Sequence, residues 1–380
     1  MMMKIFKKYS NYIIVGVFTL IMTIMGITGL PLSTTELMEK IAIAIILAVS
    51  LNMVVGFLGE LSLGHAGFMC IGAYVGGKIS VLLSSSLGGT NILTVIIALI
   101  FGGAFAAGCG FIVGLPALRL RGDYLAIVTL AFGEIVKNIF ENSDFFGGQT
   151  GLKSPQFIGK DRFILFVIGF LLVLLTLFVI QNIIKSKHGR AITAIRDNEI
   201  AAKSMGINVT KYKLMGFVVS AAFAGFAGAL YSFTQSNIQA KTFDYNYSIE
   251  ILVIVVLGGM TINGSMISAA LITFLNIFLQ KNMGGSFAVA KDLIYAVILI
   301  LVVIYRNAPS LKNFREEYNF GNLWKQIVKP KSDPSIVRDD ALRWDVVPTK
   351  ISMDEVLSTD IIIDATGDNS ADIGERGGNK

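Results

Sequence analysis

Apolar stretches about as long as a membrane span recur along the chain, parted by short polar or glycine-rich segments. Ten can be read, at 12–30, 37–58, 61–83, 92–117, 123–140, 163–184, 212–233, 248–258, 264–280 and 290–305. A bilayer core takes about 20 apolar residues per helix. The pattern therefore predicts an all-α polytopic membrane protein of about ten helices, or eight if 61–83 or 123–140 is re-entrant. The spans at 12–30, 92–117, 163–184 and 290–305 are plain, whereas the third and fifth contain ionisable groups. The eighth is too short to cross alone and must be extended, tilted or broken at Gly258-Gly259. Lys4, Lys7 and Lys8 before the first apolar run have the charge pattern of a signal peptide. No small-residue cleavage site follows, so a retained first span is expected.

Composition agrees with lipid as the solvent. Of the 380 residues 54% are hydrophobic and 15% charged, against about 25% charged in ordinary soluble domains. The net charge of +6 gives no case for a nucleic-acid partner, because the basic residues sit in loops. Residues 1–306 hold 22 Lys and Arg against 13 Asp and Glu, while 307–380 hold 10 against 13. Lys and Arg mark cytoplasmic loops. An N-terminus placed inside puts Arg119, Arg121, the whole 185–211 loop, Arg306, Lys312 and Arg315 inside as well. The opposite loops, 84–91 and 232–247, carry only Lys241 and Asp244. Both termini are thus expected in the cytoplasm of a plasma- or inner-membrane protein. With that parity, spans two to five and seven to ten run in opposite senses, which allows an inverted repeat. Residues 1–309 read as the transmembrane domain. Residues 310–380 read as a polar cytoplasmic tail, either disordered or loosely folded or a small docking module. Cys70 and Cys109 lie in apolar stretches and form neither a disulfide framework nor a zinc site.

Chemistry concentrates in few places. Residues 50–77, SLNMVVGFLGELSLGHAGFMCIGAYVGG, set Asn52, Glu60, Gly64 and His65 among seven glycines. Ionisable groups at membrane depth are costly and face a partner or a cavity. Glycine clusters permit unwound backbone where protein surrounds it. His65 reads equally as a pathway group or a packed one. Glu60 reads as a headgroup-level carboxylate or part of a break between spans two and three. Residues 72–79, GAYVGGKI, approach the phosphate-loop pattern G-x-x-x-x-G-K-S/T, but Ile79 replaces the hydroxyl and the strand–loop–helix context is missing. Asp123 stands at a helix start, where the dipole favours it. Glu134, eleven residues on, lies deep in an apolar helix and either pairs with Lys137 at i+3 or faces a cavity.

The longest hydrophilic segment before the tail is 185–213, KSKHGRAITAIRDNEIAAKSMGINVTKYK. Ala191, Ile192, Ala194, Ile195, Ala201, Ala202 and Met205 recur at helical spacing, and Gly206 stands where a glycine would stop a helix. Such basic amphipathic helices lie on anionic lipid or serve as a grip for a cytoplasmic partner.

Residues 189–207, GRAITAIRDNEIAAKSMGI, resemble the cytoplasmic coupling loop of ABC-importer permeases, and most of all those of the branched-chain amino-acid family. Residues 50–74, RGDYLAIVTLAFGEIVKNI from Arg121, and GFVVSAAFAGFAGALYS at 216–232 resemble the same family in the same order. The resemblance covers about 40–310. It implies the ABC-importer permease fold and a transport subunit without catalytic residues, metal or cofactor. It also implies a second homologous permease, two cytoplasmic ATPase subunits and an extracytoplasmic solute-binding protein as partners. ATP hydrolysis falls to the ATPases. Within the general pattern E-A-A-x-x-x-G, the implied coupling residues are Gly189, Arg190, Arg196, Asp197, Glu199, Ala201, Ala202 and Gly206, with the glutamate displaced by one. Candidate pathway residues are Asn52, Gly64, His65 and Glu134. At 258–265, GGMTINGS, Met260 stands where the family shows a glycine and Ser265 where it shows a proline. Rival readings are an ion-driven secondary transporter using Glu134 and His65, a membrane scaffold, and a urea or amide solute in place of an amino acid.

Overall fold

The computed structural model describes residues 32–87, 91–120, 122–154 and 162–282, with 15, 16, 297 and 300. The first and tenth predicted spans fall almost wholly outside the described residues, and the tail entirely so. Ten α-helices follow in order among the described residues. They are α1 (Leu32–Asn52), α2 (His65–Leu87), α3 (Ile92–Ala117), α4 (Asp123–Asn142), α5 (Arg162–Lys185), α6 (Lys187–Asp197), α7 (Glu199–Ser204), α8 (Val209–Thr234), α9 (Tyr245–Leu257) and α10 (Ile262–Asn282). A π-helical turn, Met53–Leu58, extends α1.

Six of these segments are long and apolar enough to cross a membrane: Ser33–Leu58, His65–Ser85, Ile92–Ala117, Phe163–Lys185, Val209–Thr234 and Ile262–Leu279. The 26 residues of α3 extend about 39 Å at 1.5 Å per residue, past the roughly 30 Å hydrocarbon core. Helix α4 has the length, 20 residues, but a mixed surface. It buries Leu125, Thr129, Gly133, Val136 and Phe140 and carries Glu134 and Lys137 between them. Helix α9 has 13 residues, about 20 Å, and is too short to cross alone. It ends at Gly258, and the chain turns through Gly259 and Met260 before α10.

The tightest packing is among α2, α3 and α8. Lipid tails give no hydrophobic drive for helix association, so close backbone approach must supply it. A Cβ on Gly72 would stand 2.1 Å from the Gly225 carbonyl oxygen, and one on Gly228 would stand 2.0 Å from that of Met69. Both crossings exclude any side chain.

Loops gather at two ends. At one end, β1 (Leu152–Lys153) pairs antiparallel with β2 (Asn237–Ile238), in the register Leu152 to Ile238. There Tyr74 donates to the Ile238 carbonyl at 3.1 Å and stacks on Phe140 at 4.6 Å. The other end gathers residues 59–64, the α6–α7 loop and the turn after α9.

Placing valine at Gly228 should lower the unfolding free energy of the detergent-solubilised protein by roughly 2 kcal/mol or more. Gly108→Ala, at a position with nothing within 4 Å of the added carbon, should leave the thermal melt unchanged. Equal melts for the two variants would contradict the packing role given to Gly228.

Candidate functional site

The break between α1 and α2 organises the site. After the π-turn, Gly59 takes φ +77 and the Glu60 N–H donates to the Val54 carbonyl at 3.1 Å. Residues 59–64 then run without helix until His65 starts α2. Backbone that leaves a helix has polar groups in need of partners, and protein supplies several of them here. Arg196 Nη1 donates to the Gly56 carbonyl at 3.0 Å. The Leu63 N–H donates to Thr129 Oγ1 at 3.0 Å, and the Ala66 N–H to Ser248 Oγ at 3.1 Å. Helices α4, α6 and α9 thus all meet the break or the helical turns that flank it.

The loop after α5 is built from short-range polar caps. Ser186 Oγ accepts from the N–H groups of His188 and Gly189 and starts α6. Asn198 Oδ1 accepts from those of Ile200 and Ala201 and starts α7. Asn208 Oδ1 accepts from that of Lys211 and starts α8. Side-chain oxygens of this type satisfy the orphan donors at a helix start. Gly206, at φ +80, ends α7. Its N–H reaches the Lys203 carbonyl, and the Ile207 N–H reaches that of Ala202, both at 3.1 Å. This is the Schellman arrangement, which favours glycine at the left-handed position. Ile195, Ala202 and Val209 form a small core of the loop, with Ile207 and Tyr212 packed on it.

Two side chains tie that loop to the break. Arg196 holds Asp197 through Nε and Nη2 at 3.1 and 2.9 Å while its Nη1 reaches Gly56. Lys213, buried in α8, binds Glu60 at 2.5 Å and Glu199 at 3.2 Å. Its side chain is 4% exposed, against 12% for Glu60 and 28% for Glu199. One cation therefore bridges the unwound segment and the start of α7. In α7 and just after it, Ile200 and Met205 are 73% and 82% exposed. Arg190, Asp197 and Ala201 are also exposed, whereas Gly189 and Ala202 are buried.

The four candidate pathway residues lie apart from that loop. Asn52 is fully buried, and neither its amide nitrogen nor its oxygen has a partner among the described residues. It packs against Gly56, whose other neighbour is the Met260 carbonyl; a Cβ there would come within 2.7 Å of that oxygen. Met260 itself holds φ +55, the one positive-φ non-glycine among the described residues. Gly64 lies so close to α4 that a Cβ would meet the Thr129 carbonyl oxygen at 2.3 Å. His65 is buried with Nε2 2.9 Å from Ser50 Oγ. Ser50 Oγ also lies 3.0 Å from the Leu47 carbonyl oxygen. Glu134 pairs with Lys137, as the i+3 spacing expects, and its other oxygen accepts from the Tyr245 N–H at 3.1 Å. That carboxylate sits at the N-terminus of α9, where the helix dipole favours it.

Lys213, Ile200 and Met205 were not singled out by sequence reasoning as site residues. A signal for Lys213 was present: a lysine one turn into an apolar helix, with Val209, Gly216 and Phe217 at its helical neighbours. No carboxylate is within local reach, so its partner had to come from elsewhere.

Comparison with known proteins fits this arrangement. Residues 33–303 match the family described as branched-chain amino acid transport system, permease component. The high-affinity branched-chain amino acid transport system permease protein LivM of Escherichia coli K12 is 36% identical over 319 residues, covering 76% of this chain and 72% of the relative. The probable branched-chain amino acid transport permease LivM of Methanocaldococcus jannaschii is 30% identical over 251 residues, 56% of this chain and 71% of the relative. The ribose import permease RbsC of E. coli K12 is 26% identical over 294 residues, 72% and 84%.

Lys213→Met should strand two carboxylates. The cost should be about 2 kcal/mol, below the 3–5 kcal/mol of fully buried pairs because both acids retain some water. Adding Glu60→Gln should recover part of it. A thermal melt of the double variant no higher than that of Lys213→Met would show that the two residues are not coupled.

Proposed function

Since the chain belongs to the branched-chain amino acid transport system permease family, we propose that it forms half of an import pathway for leucine, isoleucine and valine. It is a multi-pass inner-membrane subunit, and its work is to move rather than to catalyse. A solute-binding protein delivers the amino acid on the outer side, a second permease completes the pathway, and two ATPase subunits dock on α6 and α7. Both termini face the cytoplasm in this reading, because the Lys- and Arg-rich loops gather on one side.

The observation that carries the mechanism is the double tie between the loop and the break in α1. Arg196 grips the Gly56 carbonyl and Lys213 joins Glu60 to Glu199. Force applied to α7 reaches the spans through those contacts rather than through flexible chain. Nucleotide can shift an inward–outward equilibrium only by its differential affinity for the two states. The ATPases express that difference as a displacement of α6 and α7, and the tie converts it into a displacement of α1, α2 and α8. Ile200 and Met205 supply the apolar contact on the docking side. Residues 310–380 form a polar extension that transport does not require.

In proteoliposomes holding the full complex, Arg196→Ala should leave ATP hydrolysis running while leucine uptake falls roughly tenfold, the effect of about 1.4 kcal/mol. Ile200→Asp or Met205→Asp should remove the ATPase from the purified complex. Uptake driven by a pH gradient, by this chain without ATPase, would overturn the proposal. Deleting 318–380 should leave the uptake rate unchanged in the same assay.

A further inference from the structure

A cavity of about 360 Å³ lies between α1, α8, α9 and α10, within the range of small-ligand pockets. Its walls carry Lys40 and Glu250, charges of opposite sign, and the aliphatic side chains Ile43, Leu47, Ile251 and Ile254. Lys40 lies inside the span Ser33–Leu58 and Glu250 inside the apolar helix α9. Ionisable groups within spans are expensive and mark functional positions. Asn276 of α10 donates to Glu250 Oε1 at 3.3 Å, which fixes the carboxylate's orientation.

A second cavity of the same volume is lined by Lys241 and Asp244 of the loop before α9 and by Asn246 of its first turn. It shares Tyr231, Tyr247 and Glu250 with the first. Glu250 therefore borders both cavities.

We propose that the first cavity binds an aliphatic amino acid as its zwitterion, with Glu250 facing the ammonium, Lys40 the carboxylate, and the isoleucines and Leu47 the side chain. Among the described residues of the lining, one negative and one positive group match a ligand with one of each. An aliphatic floor favours a branched hydrocarbon side chain over a polar one. The permease then holds a selective station of its own, beyond the selection made by the binding protein. This inference rests on the transport reading above.

The test uses the reconstituted full complex with saturating binding protein and labelled leucine. Glu250→Gln and Lys40→Met should each lower leucine uptake roughly tenfold or more, the scale of a lost charged hydrogen bond. ATP hydrolysis stimulated by the binding protein and the thermal melt should be unchanged. Ala44→Phe, which fills the same cavity from α1 without altering charge, should reduce leucine uptake more than valine uptake. It decides the matter alone if a charge variant does not assemble. All three variants transporting at the wild-type rate, with the wild type active, would overturn the site and leave the transport reading standing. A wild-type complex that moves no branched-chain amino acid would overturn both.

Discussion

Backbone that leaves a helix inside a bilayer has no water to satisfy it, so every free carbonyl and amide must be met by protein. Residues 59–64, between the π-turn and His65, are such backbone. Helix ends leave their last carbonyls unpaired, and here the Gly56 carbonyl is taken by Arg196, 140 residues away in sequence. The amides at Leu63 and Ala66 are taken by Thr129 and Ser248. The break thus collects α4, α6 and α9 around itself, and the loop that follows α5 is held because the break needs it. A continuous helix through 53–64 would leave Arg196 nothing to hold.

Much of this was legible in the sequence, and for identifiable reasons. Span positions follow from apolar length alone, so the helices of the described residues begin and end within a few residues of where hydropathy places them. The stop at Gly206 was read from local chemistry; the caps at Ser186, Asn198 and Asn208 are equally local but were not read. The pairing of Glu134 with Lys137 is local too. What could not be read were contacts between residues far apart in the chain. Lys213 and Glu60 are separated by 153 positions, Ala66 and Ser248 by 182. Nothing near Glu60 tells whether it faces headgroups or a buried lysine. Nor does the sequence around Asn52 foretell an amide with both polar atoms buried and unmatched.

Met260 illustrates a departure from pattern that structure makes intelligible. The resemblance calls for glycine, and the residue sits in the left-handed region where a side chain costs of the order of 1 kcal/mol or more. Its carbonyl lies against Gly56, whose own carbonyl accepts from Arg196. The α9–α10 turn and the α6–α7 loop therefore bear on the same residue of the break.

The series of caps has a mechanical meaning. Three oxygen-bearing side chains and one left-handed glycine fix α6, α7 and the start of α8 over barely two dozen residues, with little slack between them. A soft linkage would absorb part of any stroke as bending, and the remainder would arrive late and diminished. In the coupling role proposed above, a stiff one would pass on nearly its full travel, and the speed of response would be set by how readily the large helices slide.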